Sequence, residues 1–217
     1  GNLTTNGTGT TRTVTNIPPG TYTFTVANAA GCVSPASAEV VIDPQPVTPV
    51  TPAIGTITHP TCDLATGSIV LENLPETGEW TLTRYPGGST LTGTGSSATI
   101  SSLPAGTYNF VVTNTEGCTS AVSANAVINP QPPTPTAPVV GTITHPTFQV
   151  ATGSVVLSGL PSSGTWILIR YPDGFTSQGT GTTRTVSGLE PGTYTFAVTN
   201  SFGCTSEPTA DVVINAR

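Results

Sequence analysis

The chain has 217 residues, of which 7% are charged, and it contains no lysine. Eleven carboxylates against five arginines give a formal net charge of -6, which argues against nucleic acid as a partner because phosphate binding needs a basic surface. No run approaches the roughly 18 consecutive apolar residues of a membrane span, so we expect no direct membrane insertion. No signal-peptide pattern follows residue 1, and the ends read as cut from a longer protein.

The residue types that dominate the chain favour strands joined by short turns. Threonine accounts for 44 residues, beside 24 glycines and 21 prolines. Threonine is β-branched and suits a pleated surface, whereas glycine and proline mark turns. This composition predicts an all-β protein.

The chain matches itself at a constant offset of 86 residues, without insertion or deletion. THPTCDLATGS at 58–68 returns as THPTFQVATGS at 144–154. The other landmarks recur three times: a Gly-Thr-Tyr sequence at Tyr22, Tyr108 and Tyr194, and a Gly-Cys sequence at Cys32, Cys118 and Cys204. We therefore divide the chain into a first repeat (residues 1–45, the C-terminal half only), a complete second repeat (46–131) and a complete third repeat (132–217).

Proline-rich sequences lie at the repeat boundaries, PQPVTPVTP at 44–52 and PQPPTPTAP at 130–138. Proline fixes φ and favours an extended polyproline II conformation. We expect semi-rigid linkers with a reach of about 25 Å. On this prediction, neighbouring repeats are separate domains joined by stiff linkers.

Seven short strands are predicted in the second repeat from period-2 alternation of apolar residues between turn signals. They cover 54–60, 67–74, 79–85, 89–94, 97–102, 107–114 and 118–129. Seven strands in roughly 80 residues is the pattern of an immunoglobulin or fibronectin-III-like β-sandwich. The predicted fold is therefore a series of such sandwiches with a period of 86 residues, joined by the proline-rich linkers.

Aromatic residues at matching positions of the repeats fit this sandwich. Trp80 and Trp166 fall on the third strand, and Tyr108 starts the sixth strand after a turn, where a tyrosine corner is expected. We interpret all of them as core residues, because a small domain with one tryptophan needs its volume inside.

No pattern of residues indicates catalysis, a cofactor or a metal ion. His59 and His145 are the only histidines and occupy the same position of separate repeats, without cysteine or carboxylate ligands at metal-binding spacing. Asp63 is replaced by Gln149 in the third repeat, which argues against a repeated acid–base pair. We predict a protein that is not an enzyme and binds no cofactor.

The sequence HPTC, then TGSI, then GTYxFxVTNxxGCTS, followed by a proline-rich linker, resembles the tandem immunoglobulin-like repeats of giant Bacteroidota surface proteins, of which the SprB-type gliding adhesins are an example. The resemblance covers essentially the whole chain. One departure is that NLPETGEW and GLPSSGTW stand where SprB-type repeats usually carry GG-x-P-P-Y. The resemblance implies export by type IX secretion, attachment at the outer membrane and an extracellular or cell-surface location.

Cysteines of an exported protein are expected to pair, and without lysine no Lys–Asn isopeptide bond can brace the repeats. Two pairings of Cys62 remain open. We rank a bond to Cys118 first, since domains usually close on themselves, and a bond to Cys204 of the third repeat second. The strand count favours the second pairing, because it places Cys62 and Cys118 at opposite ends of one sandwich, about 25 to 30 Å apart. Phe148, which replaces the cysteine in the third repeat, is expected to fill apolar space.

The predicted function is that of a non-catalytic stalk segment in a long cell-surface or extracellular adhesin fibre, with neighbouring repeats of the same chain as partners. The alternative is an immunoglobulin-like module that binds glycan or polymer through loops at one end of each sandwich, with surface polysaccharide or other surface proteins as partners. Its candidate ligand contacts are the loop aromatics Tyr85, Tyr171 and Phe175.

Overall fold

A computed structural model describes residues 4–217, which form sixteen strands and no helix. Within these residues, therefore, no helix is long and apolar enough to cross a membrane. The strands are β1 (Gly20–Tyr22), β2 (Val40–Ile42), β3 (Ala53–Thr58), β4 (Gly67–Glu72), β5 (Glu79–Tyr85), β6 (Ser89–Thr94), β7 (Ala98–Leu103), β8 (Gly106–Asn114), β9 (Ala126–Ile128), β10 (Val139–Thr144), β11 (Gly153–Ser158), β12 (Trp166–Tyr171), β13 (Thr176–Gly179), β14 (Thr183–Leu189), β15 (Gly192–Thr199) and β16 (Val212–Ile214).

Each of the two later repeats is a sandwich of two antiparallel sheets. In the second repeat the sheets have the strand orders β3-β4-β7 and β6-β5-β8-β9, and in the third repeat β10-β11-β14 and β13-β12-β15-β16. This arrangement confirms the predicted all-β sandwich repeats. The first six predicted strands of the second repeat agree with β3 to β8 within two residues at each end.

The core of each sandwich lies between its two sheets. Strand β8 alternates as predicted, with Tyr108, Phe110 and Val112 buried and the residues between them half-buried. These side chains join Ile69 and Leu71 of the opposite sheet in one apolar cluster. Alternation is the direct result of successive side chains pointing to opposite faces of a strand.

Trp80 and Trp166 are buried in these cores, at 3% and 1% exposure, as predicted. The Trp80 indole nitrogen donates a hydrogen bond to the carbonyl of Gly95 (2.9 Å). Its ring lies so close to Gly93 that a Cβ there would stand 2.5 Å from the ring. The small residue is therefore required by the tryptophan.

The predicted tyrosine corner is present in each repeat. The Tyr108 hydroxyl donates to the carbonyl of Pro104 (2.9 Å), Tyr22 does the same to Pro18, and Tyr194 to Glu190. Each bond ties the start of a strand to the turn that precedes it.

The predicted strand at 118–129 is wrong over most of its length, because only Ala126–Ile128 forms β9. Before it, serine hydroxyls take part in the pairing: Ser120 accepts a hydrogen bond from the Val112 amide, and Ser123 accepts one from the Phe110 amide, both at 3.0 Å. Side-chain oxygens thus satisfy buried amides that a regular strand would pair with carbonyls.

Residues 4–45 form one short sheet, β1-β2. Side chains of this segment are exposed at positions that belong to the core in the second repeat. Phe24 is 38% and Val26 73% exposed, whereas their equivalents Phe110 and Val112 are fully buried. This segment thus presents the apolar face of one sheet without an opposing sheet.

The two ends of each sandwich differ in which segments meet there. In the second repeat, we call the end where β3 begins and β8 ends the N-terminal pole, and the end where β3 and β9 end the C-terminal pole. The preceding linker arrives at the N-terminal pole, and the following linker leaves from the C-terminal pole. The same definitions apply to the third repeat with β10, β15 and β16.

Candidate functional site

The chemically distinctive site is the joint between the second and third repeats, where Cys62 and Cys204 form a disulfide bond. Their Cα atoms are 5.4 Å apart, and the two residues are 142 positions apart in sequence. Cys62 follows β3 at the C-terminal pole of the second repeat, and Cys204 follows β15 at the N-terminal pole of the third. The first-ranked prediction, Cys62 with Cys118, is therefore wrong, and the alternative pairing is the one formed.

The direction of the strands explains this outcome. Cys118 lies beyond the end of β8, at the pole opposite to Cys62. The nine residues of β8 span about 30 Å at roughly 3.3 Å per residue, far beyond the roughly 7 Å between Cα atoms that a disulfide allows. Cys118 and the exposed Cys32 carry free thiols.

The linker is bound to the second repeat at the turn that carries Cys62. The side-chain nitrogen of Gln131 donates to the carbonyl of Cys62 (2.9 Å) and to that of Thr61 (3.2 Å). Two residues before Gln131, the amide of Asn129 donates a hydrogen bond to Nδ1 of His59 (3.3 Å). His59 is thus a structural acceptor for the departing chain.

The same linker is bound to the third repeat at the turn that carries Cys204. The side-chain nitrogen of Asn200 donates to the carbonyl of Pro133 (2.7 Å), while its Oδ1 accepts from the amide of Cys204 (3.0 Å). The turn also needs Gly203, whose φ of 84° lies in the left-handed region. One asparagine therefore fixes both the linker and the cysteine.

These contacts correct the prediction that neighbouring repeats are separate domains joined only by a stiff linker. The linker is hydrogen-bonded to both of its neighbours within a few residues, and a disulfide closes the joint beside it. Neither Asn200 nor Gln131 was predicted as a functional residue. Their signal was present in the repeated TNxxGCTS and PQP sequences, but nothing in one repeat alone indicates that these two sequences meet.

Phe148 does not fill core space as expected: it is 97% exposed. It follows β10 at the C-terminal pole of the third repeat, in the turn equivalent to that of Cys62. Its neighbours in this turn, Thr147 and Gln149, are exposed as well. The C-terminal pole of the third repeat offers an aromatic ring where the second offers a cysteine.

The three predicted ligand contacts lie on hairpins at the C-terminal poles. Tyr85 ends β5 and Tyr171 ends β12, each before a cis proline, and they are 44% and 41% exposed. Phe175, 55% exposed, shares the hairpin of Tyr171. Tyr85 belongs to the other repeat, so only Tyr171 and Phe175 share one hairpin.

Arg170 organises the hairpin of the third repeat. Its guanidinium lies over the Phe175 ring, 4.8 Å from the centroid, and its Nε donates to Asp173 (3.1 Å). The hydrogen bond lowers the pKa of Asp173 and raises that of Arg170. The second repeat has Gly87 in place of Asp173, and Nε of Arg84 is buried there without a partner.

Within residues 4–217, no group of three or more His, Cys, Asp or Glu side chains is placed to hold a metal ion. The chemistry that the described site supports is thiol–disulfide chemistry at the joint.

Comparison with known proteins gives no family for this chain. No protein-family description and no curated protein matches it. Solved structures similar to it include the FN1-FN3 domains of chicken CNTN1, with 15% identity over 92% of this chain and 79% of that one and a TM-score of 0.37. Another is the human OSCAR ligand-binding domain, with 14% identity, 77% and 100% coverage and a TM-score of 0.32. The fold assignment rests on the strand pairing described above.

Proposed function

We propose that this chain is a non-catalytic stalk segment of a long extracellular or cell-surface fibre, which holds a distal binding region away from the cell. The observation that carries the proposal is the disulfide between Cys62 and Cys204, which joins successive repeats instead of bracing one of them. The hydrogen bonds of Gln131 and Asn200 immobilise the linker of the same joint. Together the disulfide and these hydrogen bonds restrain one repeat relative to the next, which suits a spacer.

Tension applied to the two ends of the chain follows the shortest covalent route. That route runs through β3 to Cys62, crosses the disulfide to Cys204 and leaves through β16. The segment between the two cysteines, which are 142 positions apart and enclose most of both sandwich cores, carries no tension along its backbone. The joint thus limits how far a loaded stalk can lengthen.

Single-molecule pulling on residues 1–217, held at both ends, tests the proposal. Without reductant, the final contour length should lack the stretch of chain enclosed by the disulfide, about 500 Å for a sequence separation of 142 at roughly 3.5 Å per residue. Reductant should release this length, and a C62S/C204S variant should show it from the start. A full-length extension of the unreduced wild type would contradict a load-bearing joint.

Display outside the cell is part of this proposal, since disulfides persist in oxidising compartments. A SprB-type surface adhesin of Bacteroidota is the specific case that we propose. Immunogold labelling of intact producing cells with antibodies against residues 46–217 should mark filaments beyond the outer membrane. Label confined to permeabilised cells would overturn the surface location.

A second candidate, binding of glycan or polymer, is supported by the exposed aromatic pair Tyr171 and Phe175 beside Arg170. Planar rings at the surface suit stacking against sugar rings, and Arg170 holds Phe175 in place from one side. A glycan array probed with the full chain tests it. Binding should be lost in Tyr171→Ala and retained in Phe148→Ala, which removes an exposed ring elsewhere; no binding, or equal binding by both variants, would dismiss this function.

A further inference from the structure

The cysteines fall into two structural classes. Cys62 lies on the turn at a C-terminal pole, whereas Cys118 and Cys204 lie at N-terminal poles after β8 and β15. Cys32 belongs with Cys118 and Cys204, because it occupies the turn of the first repeat that is equivalent to theirs. Its amide also donates to an asparagine, Asn28 (2.9 Å). The disulfide in the structure joins one member of each class.

The N-terminal pole of the second repeat is built like the half of the joint that carries Cys204. The amide of Cys118 donates to Oδ1 of Asn114 at 2.9 Å, compared with 3.0 Å for Cys204 and Asn200. The side chain of Asn114 also holds the linker, by a 2.9 Å bond to the carbonyl of Val47. The receiving turn and its linker contact are thus both in place around a free, half-buried thiol.

We propose that Cys118 is a docking site for the cysteine of a second Thr-His-Pro-Thr-Cys turn, presented by the C-terminal pole of a complete repeat in front of the second. Two independent observations support this partner: the equivalent Cys204 holds such a turn in this structure, and Asn114 fixes the linker as Asn200 does. The inference rests on the proposed stalk function and extends it to every joint whose two cysteines are present.

The bond forms by thiol–disulfide exchange with a low-molecular-weight disulfide of the oxidising compartment. One thiolate attacks that disulfide and releases one small thiol. The second protein thiolate then attacks the mixed disulfide and releases the other. Two protein thiols become one disulfide bond, and the small disulfide takes up both electrons and both protons.

The first repeat retains the features needed to complete a sandwich. Gly7 and Gly9 occupy the positions of Gly93, which faces the Trp80 ring, and Gly95, whose carbonyl accepts the indole hydrogen bond. In the 86-residue frame Gly1 takes the place of Gly87, the residue after Pro86. A copy of residues 46–86 placed before Gly1 therefore supplies the missing strands, the tryptophan and a Thr-His-Pro-Thr-Cys turn.

This extended chain tests the proposal directly. Non-reducing peptide mapping should find the added cysteine bonded to Cys118, with Cys62–Cys204 unchanged, and one free thiol should remain in place of the two in the parent chain. The chain supplies its own control: residues 132–172 placed before Gly1 carry Phe148 at this position and should leave both thiols free. A bond from the added cysteine to Cys32, or an unpaired added cysteine, would overturn the proposal.

A second measurement needs no added repeat. Residues 1–217 are treated with the peptide 53–72, which contains the Cys62 turn, as its mixed disulfide with glutathione, and in parallel with oxidised glutathione alone. Glutathione should modify the exposed Cys32 more than Cys118, whereas the peptide should shift the ratio at least several-fold towards Cys118. An identical ratio for both reagents would contradict a docking site. The pulling experiment depends on the bond between Cys62 and Cys204 and not on Cys118. A failure of the docking proposal can therefore be distinguished from a failure of the proposed stalk function.

Discussion

The side chain of Asn200 donates a 2.7 Å hydrogen bond to the carbonyl of Pro133, across 67 residues of sequence. The same side chain accepts the amide of Cys204, so the position of the linker and that of the disulfide are set by one residue. Asn114 and Val47 repeat the relationship one period earlier. The contact between asparagine and linker is therefore a repeated unit of structure, as the sandwich is.

Replacing Asn200 should loosen this unit in two separable ways. Asn200→Ala removes both of these hydrogen bonds and a third, which Oδ1 accepts from the Phe202 amide (3.0 Å), and should lower the free energy of unfolding of the third repeat by about 1–2 kcal/mol. Asn200→Asp keeps the acceptor for the Cys204 amide but loses the donor to Pro133. Hydrogen exchange at the Cys204 amide should rise in the alanine variant and stay slow in the aspartate variant; equal exchange in both would contradict the two roles.

A methyl group added at Gly179 should destabilise the third repeat. Its Cβ would lie 2.3 Å from the Trp166 ring, which must move out of a filled core. We expect Gly179→Ala to cost about 1–3 kcal/mol, measured by tryptophan fluorescence during urea unfolding. Gly7→Ala is the matched control: it occupies the same position of the first repeat, where its Cβ meets only the Arg12 side chain at 3.3 Å, and it should have little effect.

The serine hydroxyls beside β8 are expected to contribute to stability despite their small size. Ser123→Ala leaves the buried amide of Phe110 without its acceptor, at a cost of about 1–3 kcal/mol. Ser123→Thr should be tolerated, because Thr209 makes the equivalent bond to Phe196 in the third repeat. Chemical denaturation of the three proteins checks this, and an alanine variant as stable as the wild type would exclude the role.

Acid should weaken the hairpin of the third repeat through Asp173. The hydrogen bond from Arg170 lowers the pKa of Asp173 below its ordinary value of 3.8. A lowered folded-state pKa means that the stabilisation is complete above the unfolded-state value and is lost as pH falls through the folded-state value. An NMR titration should therefore place the midpoint of Asp173 below 3.8, and Arg170→Gln should move it back up. An unchanged midpoint in the variant would contradict the assigned cause.

The regular parts of the fold follow from the sequence because burial imposes a period. Tyr108, Phe110 and Val112 alternate since every second side chain of a strand faces the core, and this pattern needs no knowledge of neighbouring strands. The strand predicted at 118–129 was too long because Ser120 and Ser123 occupy positions that suit an ordinary solvated strand. Their hydroxyls instead satisfy amides of β8, a contact that spacing alone cannot distinguish.

The pairing of Cys62 depended on information that a single repeat does not contain. The positions of the poles favour Cys204 as the partner, whereas the general tendency of domains to close on themselves favours Cys118. The exposure of Phe148 could not be predicted either, because its neighbours in sequence are those of a strand end, yet the residues around it in the turn are exposed. Contacts between repeats are decided by which pole each turn occupies.

The disulfide between Cys62 and Cys204 also bears on proteolysis. A single peptide-bond cleavage anywhere between these residues would leave the two fragments covalently connected, because the disulfide bridges the whole interval between them. Exposed loops of both sandwiches, including the hairpins at Tyr85 and Tyr171, fall inside that interval. If the protein is the extracellular fibre proposed above, a filament made of such joints would survive a nick in most of its length without being severed, even where proteases reach it.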